Sequence, residues 1–339
     1  MDEAIDILIT LPLPDHLIAR LQDLSPRLRV HVQKASRVED VAPEQWATVN
    51  VLYTGRVLPA PDQAPNLNWI QFHFAGIDHV RDAPILRKEG VKATTMSGAS
   101  ASQVAEYAVM MMLALGHRLP DLLDHQRRSL WPKDRWERFS PVELRNHTVG
   151  IVGYGSIGRQ IARLLVNFGA RILATKRDAM HPDDKGYIPE GQGDERGDFV
   201  HRLYPAEAIR SMVKECDFVV VCTPLTPRTR GLINAEVIEA MKPTAFLVDA
   251  SRGGVIEHTA LINALREHKI AGAALDVFPE EPLPENSPLW KMPNVIITPH
   301  ISGNTPYYDE RAMELFMENM KRYLSGQPLL NVVDVDQGY

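Results

Sequence analysis

The feature that most constrains this chain is the run Thr148-Val149-Gly150-Ile151-Val152, followed at once by Gly153-Tyr154-Gly155-Ser156-Ile157-Gly158. A short β-branched apolar run reads as a buried strand, and the spacing GxGxxG reads as a tight turn that opens a helix. Behind the turn, Ile157, Ile161, Leu164 and Phe168 form one helical stripe, which Gly169 ends. Glycine at 153 permits the turn, glycine at 155 lets a pyrophosphate approach the backbone, and glycine at 158 lets helix and strand pack closely. The helix N-terminus adds free amides and the positive end of a dipole. A chain with this segment is committed to a parallel α/β domain with a dinucleotide site.

Short apolar runs alternate with helical patterns along most of the 339 residues, a length suited to two domains. In the first hundred residues, strands are expected at Ile5–Leu11, Leu28–Val32, Val49–Tyr53, Trp69–His73 and Val91–Thr94, which predicts a small flavodoxin-like domain. A second set is expected at Thr148–Val152, Arg171–Thr175, Asp217–Val221, Ala245–Asp249, Ala271–Val277 and Asn294–Thr298. Between the two sets runs an apolar helix, Ser102 to Leu115, with Val104, Ala108, Met111 and Leu115 on one face and Val109, Met110 and Met112 off it. A helix apolar nearly all round is buried, most simply between two domains. Asp178–His201 is rich in glycine and acids without a period and reads as a surface insertion. A last helix is expected from Thr305-Pro306 to just before Gly326. With no place in the second sheet, it should return to the first domain. The expected layout is a Rossmann domain, residues 102–303, inserted into a flavodoxin-like domain made of residues 1–101 and 304–339.

Composition narrows the setting. The formal net charge of −6 argues against a nucleic-acid-binding surface, and two cysteines are too few for a disulfide framework or a structural zinc site. The longest uncharged apolar run, Tyr107 to Leu115, falls far short of the roughly 18 residues a membrane span needs. The acidic start lacks the basic region of a signal peptide, so a cytoplasmic location is expected. No metal is expected.

The second strand decides which cofactor is expected. In NAD-binding folds an acid about 20 residues past the first glycine accepts hydrogen bonds from the ribose 2′-OH. Here Lys176 stands 23 residues after Gly153, with Arg177 beside it. Two cations at that point would attract a 2′-phosphate, which a guanidinium can grip with two parallel bonds. NADP(H) is therefore expected over NAD(H), although Asp178 next door leaves NAD open.

Doubly wound sheets bind ligands beyond the carboxyl ends of their strands. At those ends stand Cys222-Thr223-Pro224, Ala250-Ser251-Arg252-Gly253-Gly254, Phe278-Pro279-Glu280-Glu281-Pro282 and Pro299-His300-Ile301-Ser302-Gly303. An arginine, a carboxylate and a histidine thus arrive at one edge of one sheet. No base is placed beside Cys222, so it is not read as a nucleophile.

At this point the chain resembles the D-isomer-specific 2-hydroxyacid dehydrogenases. The segments that carry the resemblance are SGASASQVAEYAVMMMLAL, VGIVGYGSIGRQIA, DFVVVCTPLTPRTRGLIN, MKPTAFLVDASRGGVI, ALDVFPEEP and VIITPHISGNT, in that order from Ser97 to about Asn304, with looser likeness in LNWIQFHFAGIDHV and the tail. The resemblance implies hydride transfer between a nicotinamide and the C2 carbon of a small 2-oxo or 2-hydroxy acid. It implies that Arg252 binds the substrate carboxylate and carbonyl oxygen, that His300 is the acid–base, and that Glu281 holds its imidazole. A positioned histidine backed by a carboxylate suits an oxygen that gains negative charge, and a fixed guanidinium offsets that charge. Glu281 and not Glu280 is the partner, because the family's acid lies five residues past the strand-end aspartate, here Asp276, and just before proline.

The family pattern further implies that Asp276 contacts the nicotinamide carboxamide and that the amides of Ala75 and Gly76 complete the carboxylate cradle. Ser156 and Ile157 would meet the pyrophosphate, and Cys222, Thr223 and Pro224 the adenine-to-ribose side, with cysteine standing where the family commonly has histidine. Ala250, Ser302 and Gly303, at the same strand ends, complete the expected cofactor contacts. Tyr53, Thr54, Arg56, Phe72 and Phe74 are candidates for the substrate side-chain pocket. The stretch 119–146, with Trp131 and Trp136, matches the arm that embraces a second subunit in the family, so a homodimer is expected.

A glyoxylate, hydroxypyruvate or broader 2-ketoacid reductase is the leading expectation. Phosphoglycerate oxidation is disfavoured by the cofactor signal and the absence of sequence beyond Tyr339. Formate oxidation is disfavoured because the position of Glu281 is glutamine in formate dehydrogenases. A cofactor-sensing, corepressor-like binding protein of the same fold is the alternative.

Overall fold

In a computed structural model, residues 4–338 are described. The chain divides into two compact units, one made of the residues up to Ser100 together with those from Thr305 on, the other running from Ala101 to Asn304.

The first unit is a five-stranded parallel sheet in the order β2-β1-β3-β4-β5, with β1 Ile5–Ile9, β2 Leu28–Val32, β3 Val51–Thr54, β4 Trp69–Phe72 and β5 Lys92–Thr94. Strands β3 and β4 are buried at every position, as central parallel strands covered on both faces must be. The chain returns here at its end. The helix Tyr308–Leu324 buries Met313, Phe316 and Met320, and Phe316 lies 4.8 Å from the ring of Tyr53 and 5.3 Å from that of Trp69. That helix starts later than expected because Thr305 and Pro306 form the turn before it: the Thr305 hydroxyl accepts from Tyr307 N and the Thr305 carbonyl from Tyr308 N.

The second unit is a seven-stranded parallel sheet ordered β12-β11-β10-β9-β6-β7-β8. Its strands are β6 Thr148–Val152, β7 Arg171–Lys176, β8 Arg202–Pro205, β9 Phe218–Val221, β10 Phe246–Asp249, β11 Gly272–Leu275 and β12 Val295–Ile297. Edge strand β8 was not expected. Its four residues bury only Tyr204, too little alternation to read as a strand.

The apolar helix, Ala101–Gly116, belongs to this unit. Its burial needs no second domain, since Val104, Ala105, Ala108, Met111, Met112 and Leu115 share a core with Ile151, Ile161, Leu165 and Val248, while Met110 is exposed. In the helix Ser156–Phe168 the buried face is Gly158, Ile161, Ala162 and Leu165, not the stripe ending in Phe168, which is exposed. Gly158 sets that face, because a Cβ there would stand 2.3 Å from the Gly153 carbonyl oxygen and 3.0 Å from Ile151.

The insertion after β7 is held down by side chains of the fingerprint helix. Arg159 is 1% exposed, ion-pairs with Asp184 at 3.2 Å, donates to the carbonyls of Asp194 and Pro182, and stacks 4.7 Å over the Tyr154 ring. The Tyr154 hydroxyl donates to Asp194 at 2.5 Å, and Gln160 accepts from Gly193 N at 2.7 Å. Asp194 in turn accepts from Asp198 N and Phe199 N. The segment reads as a solvated loop, yet it folds round a buried guanidinium to which it supplies two carbonyl acceptors and a counter-ion. Arg159→Ala should cost about 3–5 kcal/mol, the usual penalty for breaking a buried pair, and should open the insertion. Urea unfolding and limited proteolysis within residues 178–201 check both effects.

Candidate active site

Register alone brings the chemistry together. Asp249 of β10 pairs with Leu275 of β11, and Leu275 with Ile297 of β12. Three residues beyond each of these stand Arg252, Phe278 and His300. The first two loops touch, since a Cβ on Gly253 would lie 1.9 Å from the Phe278 carbonyl oxygen, an approach only glycine allows. Glu281 joins the second loop to the third: Oε1 accepts from Phe278 N at 2.9 Å and Oε2 from His300 Nδ1 at 2.7 Å. With Nδ1–H pointed at a carboxylate, Nε2 is the ring atom left to exchange a proton. Both side chains are partly open, His300 at 43% and Glu281 at 35%. Arg252 is half-buried, with one guanidinium nitrogen donating to Ser251 O at 2.8 Å.

His300 itself sits at φ 52°, in the left-handed region that a histidine rarely adopts. Asp276 holds it there. Its fully buried carboxylate accepts from the Thr298 hydroxyl at 2.6 Å, from Ile301 N at 2.9 Å and from Ser302 N at 2.9 Å, and its carbonyl accepts from His300 N. Both carboxylate oxygens accept from the turn that carries His300.

A second buried acid, Asp249, accepts from Ser251 N at 3.0 Å and from the Ser251 hydroxyl at 2.5 Å, which shapes the turn into Arg252. Burial pushes its carboxyl up to about 7, against hydrogen bonds from Ser251 that favour the charged form.

At the fingerprint the residues fit a dinucleotide. Gly153 has φ 102°, and a Cβ there would press on Thr223 at 3.1 Å. Gly155 is exposed with nothing within 4 Å of where a side chain would be, a bare backbone leading into the helix that begins at Ser156. Ser156 and Ile157 are half-buried in its first turn. Cys222 donates through its amide to Val152 O, and its thiol lies 3.2 Å from the Gly153 carbonyl. Burial pushes that thiol up to about 12, so it stays neutral and pins the turn. Thr223 is half-buried, Pro224 exposed, and Ala250 buried with its amide given to Val221 O. Ser302 is buried through its bond to Asp276, and the Gly303 carbonyl accepts from Gln103 at 3.0 Å.

The cation pair at the end of β7 divides. The Lys176 ammonium donates to the carbonyls of His181 and Asp183, and burial, with the Arg159 guanidinium nearby, lowers its pKa. Arg177 is exposed. The Asp178 carboxylate is spent on its own turn, accepting from Met180 N, His181 N and the His181 ring.

In the first unit, Ala75 and Gly76 are half-buried in the loop after β4. Tyr53, Thr54 and Phe72 do not form a pocket: each is at most 1% exposed, and the Tyr53 hydroxyl bonds His73 at 2.7 Å. Arg56 and Phe74 are exposed. The sequence did not reveal that Arg159, Tyr107 and Gln103 support the site, since a mid-helix polar residue carries no signal for its distant partner.

Comparison with known proteins agrees with this geometry. Residues 109–302 match the family described as D-isomer specific 2-hydroxyacid dehydrogenase, NAD binding domain. The chain belongs to that family. It is an NAD(P)-dependent oxidoreductase. It is 35% identical over 268 residues to the glyoxylate reductase of Thermofilum pendens, covering 78% of this chain and 74% of that one. The D-isomer specific 2-hydroxyacid dehydrogenase of Xanthobacter autotrophicus, solved with NADPH and MES, superposes with a TM-score of 0.79 at 27% identity, over 99% of this chain and all of that one. The NADPH-dependent glyoxylate/hydroxypyruvate reductase of Sinorhizobium meliloti, solved with NADP and sulfate, gives 0.76 at 25% identity, over 99% of this chain and 100% of the other.

Asp249 gives a testable sign. Its folded pKa of about 7 lies above its ordinary 3.8, so the unfolded chain releases the proton first. Stability is therefore lost as pH rises from about 4 to 7 and stays reduced above that. Asp249→Asn keeps the acceptor for Ser251 and removes the charge. At pH 8 it should be more stable than the wild type by roughly 1–3 kcal/mol, with the gap gone at pH 4. Denaturant unfolding across that range reads it.

Proposed function

We propose that the protein reduces a small 2-oxo acid to the D-2-hydroxy acid, using NADPH in preference to NADH. The His300–Glu281 pair beside the Arg252 turn carries this reading. When bound, the cofactor supplies a hydride to the substrate carbon. The Arg252 guanidinium holds the substrate carboxylate and carbonyl oxygen, and offsets the charge that develops there. His300 gives that oxygen a proton from Nε2, while Glu281 keeps Nδ1–H in place. In oxidation the same ring takes the proton back. The amides of Ala75 and Gly76 are assigned to the substrate carboxylate.

The NADPH preference rests on two observations: Asp178 is spent within its own turn, and Arg177 stands exposed at the end of β7. Lys176, engaged with backbone carbonyls, adds a fixed positive field more than a flexible grip. The NADPH and NADP complexes of the Xanthobacter and Sinorhizobium relatives support the same choice, as the glyoxylate reductase relative supports a small substrate.

The protein is further proposed to be a cytoplasmic homodimer through residues 119–146. Leu119, Leu122, Leu123, Leu130, Trp131 and Trp136 are all exposed, Trp131 at 84% and Trp136 at 79%. An apolar cluster of that size on a single chain marks a contact surface. Sedimentation showing only a 38.0 kDa species would remove the dimer.

Loss of 340 nm absorbance should be seen with NADPH and one of glyoxylate, hydroxypyruvate, pyruvate or a branched 2-ketoacid. His300→Ala should lower kcat by about 10²–10⁴-fold with NADPH binding within about twofold of wild type; turnover that survives refutes the acid assignment. Arg177→Ala should raise KM for NADPH by about tenfold or more and leave NADH nearly unchanged, the loss of a charge-assisted grip. Equal effects on both cofactors would overturn the phosphate reading. Silence across the acids with NADPH still bound would favour the sensor.

A further inference from the structure

The turn that carries His300 is gripped from behind by the helix that opens the second unit. Tyr107, on Ala101–Gly116, places its hydroxyl 2.8 Å from the Thr298 hydroxyl. Thr298 has one proton and gives it to Asp276 Oδ1 at 2.6 Å. The bond to Tyr107 therefore runs the other way, with Tyr107 donating. One turn earlier on the same helix, Gln103 Nε2 donates to the Gly303 carbonyl at 3.0 Å. The two contacts bracket His300, one before it and one after it.

We propose that Tyr107 and Gln103 are positioning residues for His300, fixing from the helix the two ends of a turn whose centre Asp276 holds from the sheet. The proposal rests on His300 being the proton donor. Three features carry it. The chain Tyr107–Thr298–Asp276 has one polarity, so each member fixes the next. Its two ends are buried, Tyr107 at 7% exposure and Asp276 at none, with Thr298 half-buried between them. The turn it holds contains a histidine at φ 52°, a conformation that persists only where the surroundings impose it. Burial also raises the Tyr107 hydroxyl above the ordinary tyrosine range, so it remains a donor at every working pH. Neither residue touches the reacting atoms; both act through the place of the ring.

The test is a double-mutant cycle on the full-length enzyme with NADPH and the best 2-oxo acid. Tyr107→Phe removes one donor and keeps the ring. It should lower kcat about threefold to tenfold, the usual worth of one hydrogen bond, with KM and NADPH binding within about twofold. Thr298→Val should lose at least as much, and Thr298→Ser, which keeps the hydroxyl, should restore most of it. The double variant Tyr107→Phe/Thr298→Val should be no worse than Thr298→Val alone, because Tyr107 acts through that hydroxyl. Gln103→Met, on the exposed side of the pair, should give a smaller loss of kcat with the same unchanged cofactor binding.

Wild-type kcat in Tyr107→Phe, or full additivity in the double variant, overturns the proposal. A loss of kcat matched by an equal loss of NADPH binding also overturns it, since that marks general loosening. His300→Ala run alongside separates the two levels. An inert His300→Ala with a fully active Tyr107→Phe sinks only the positioning role, whereas an active His300→Ala sinks the reading beneath it.

Discussion

The buried carboxylate of Asp276 is the point on which the site turns. Three donors from Thr298, Ile301 and Ser302 converge on it, and an acceptor with no access to water must be satisfied this way. The cost of leaving any of those bonds unmade is what keeps the chain bent back at His300 in a conformation it would otherwise avoid. Glu281 can then meet the ring from the neighbouring loop, and the Arg252 loop lies against that loop because Gly253 has no side chain to prop it away. The geometry is made by loops, but it is fixed by the sheet beneath them through parallel register and one desolvated acid.

The two ends of the second unit use polar burial differently. At the loops after β10 and β12, buried carboxylates organise the turns that carry Arg252 and His300. At the fingerprint a buried cation does the organising: Arg159 gathers the carbonyls of the insertion and stacks on Tyr154. Cys222 illustrates how little of this is redox chemistry. Its thiol is neutral, tucked beneath the glycine turn, and serves as a weak donor in a crowded place.

Most of the fold was legible because parallel strands buried on both faces write themselves as continuous apolar runs, and eleven expected runs became strands at or within a few residues of their predicted limits. Edge strand β8 was invisible because it buries a single side chain. The apolar helix was legible as buried but not as to what buries it, since composition says nothing about partners. Arg252, Glu281 and His300 were legible through strand ends, where sequence order and spatial neighbourhood coincide. Asp276 was legible as a strand-end acid but not as the acceptor for the donors of the His300 turn, because sequence order does not say where its oxygens point. Tyr53, Thr54 and Phe72 are close to a loop in sequence yet point into the core.

The insertion after β7 bears on how this protein could be altered or could have diverged. Surface loops are ordinarily the segments that lengthen and shorten without consequence. This one supplies two carbonyl acceptors to a guanidinium lying inside the fold, together with its counter-ion. Trimming it would strand that charge beside the nucleotide turn, so the segment and Arg159 can be lost or gained only as a pair. What looks like decoration on the outside of the domain is an internal wall that happens to have been built from a loop.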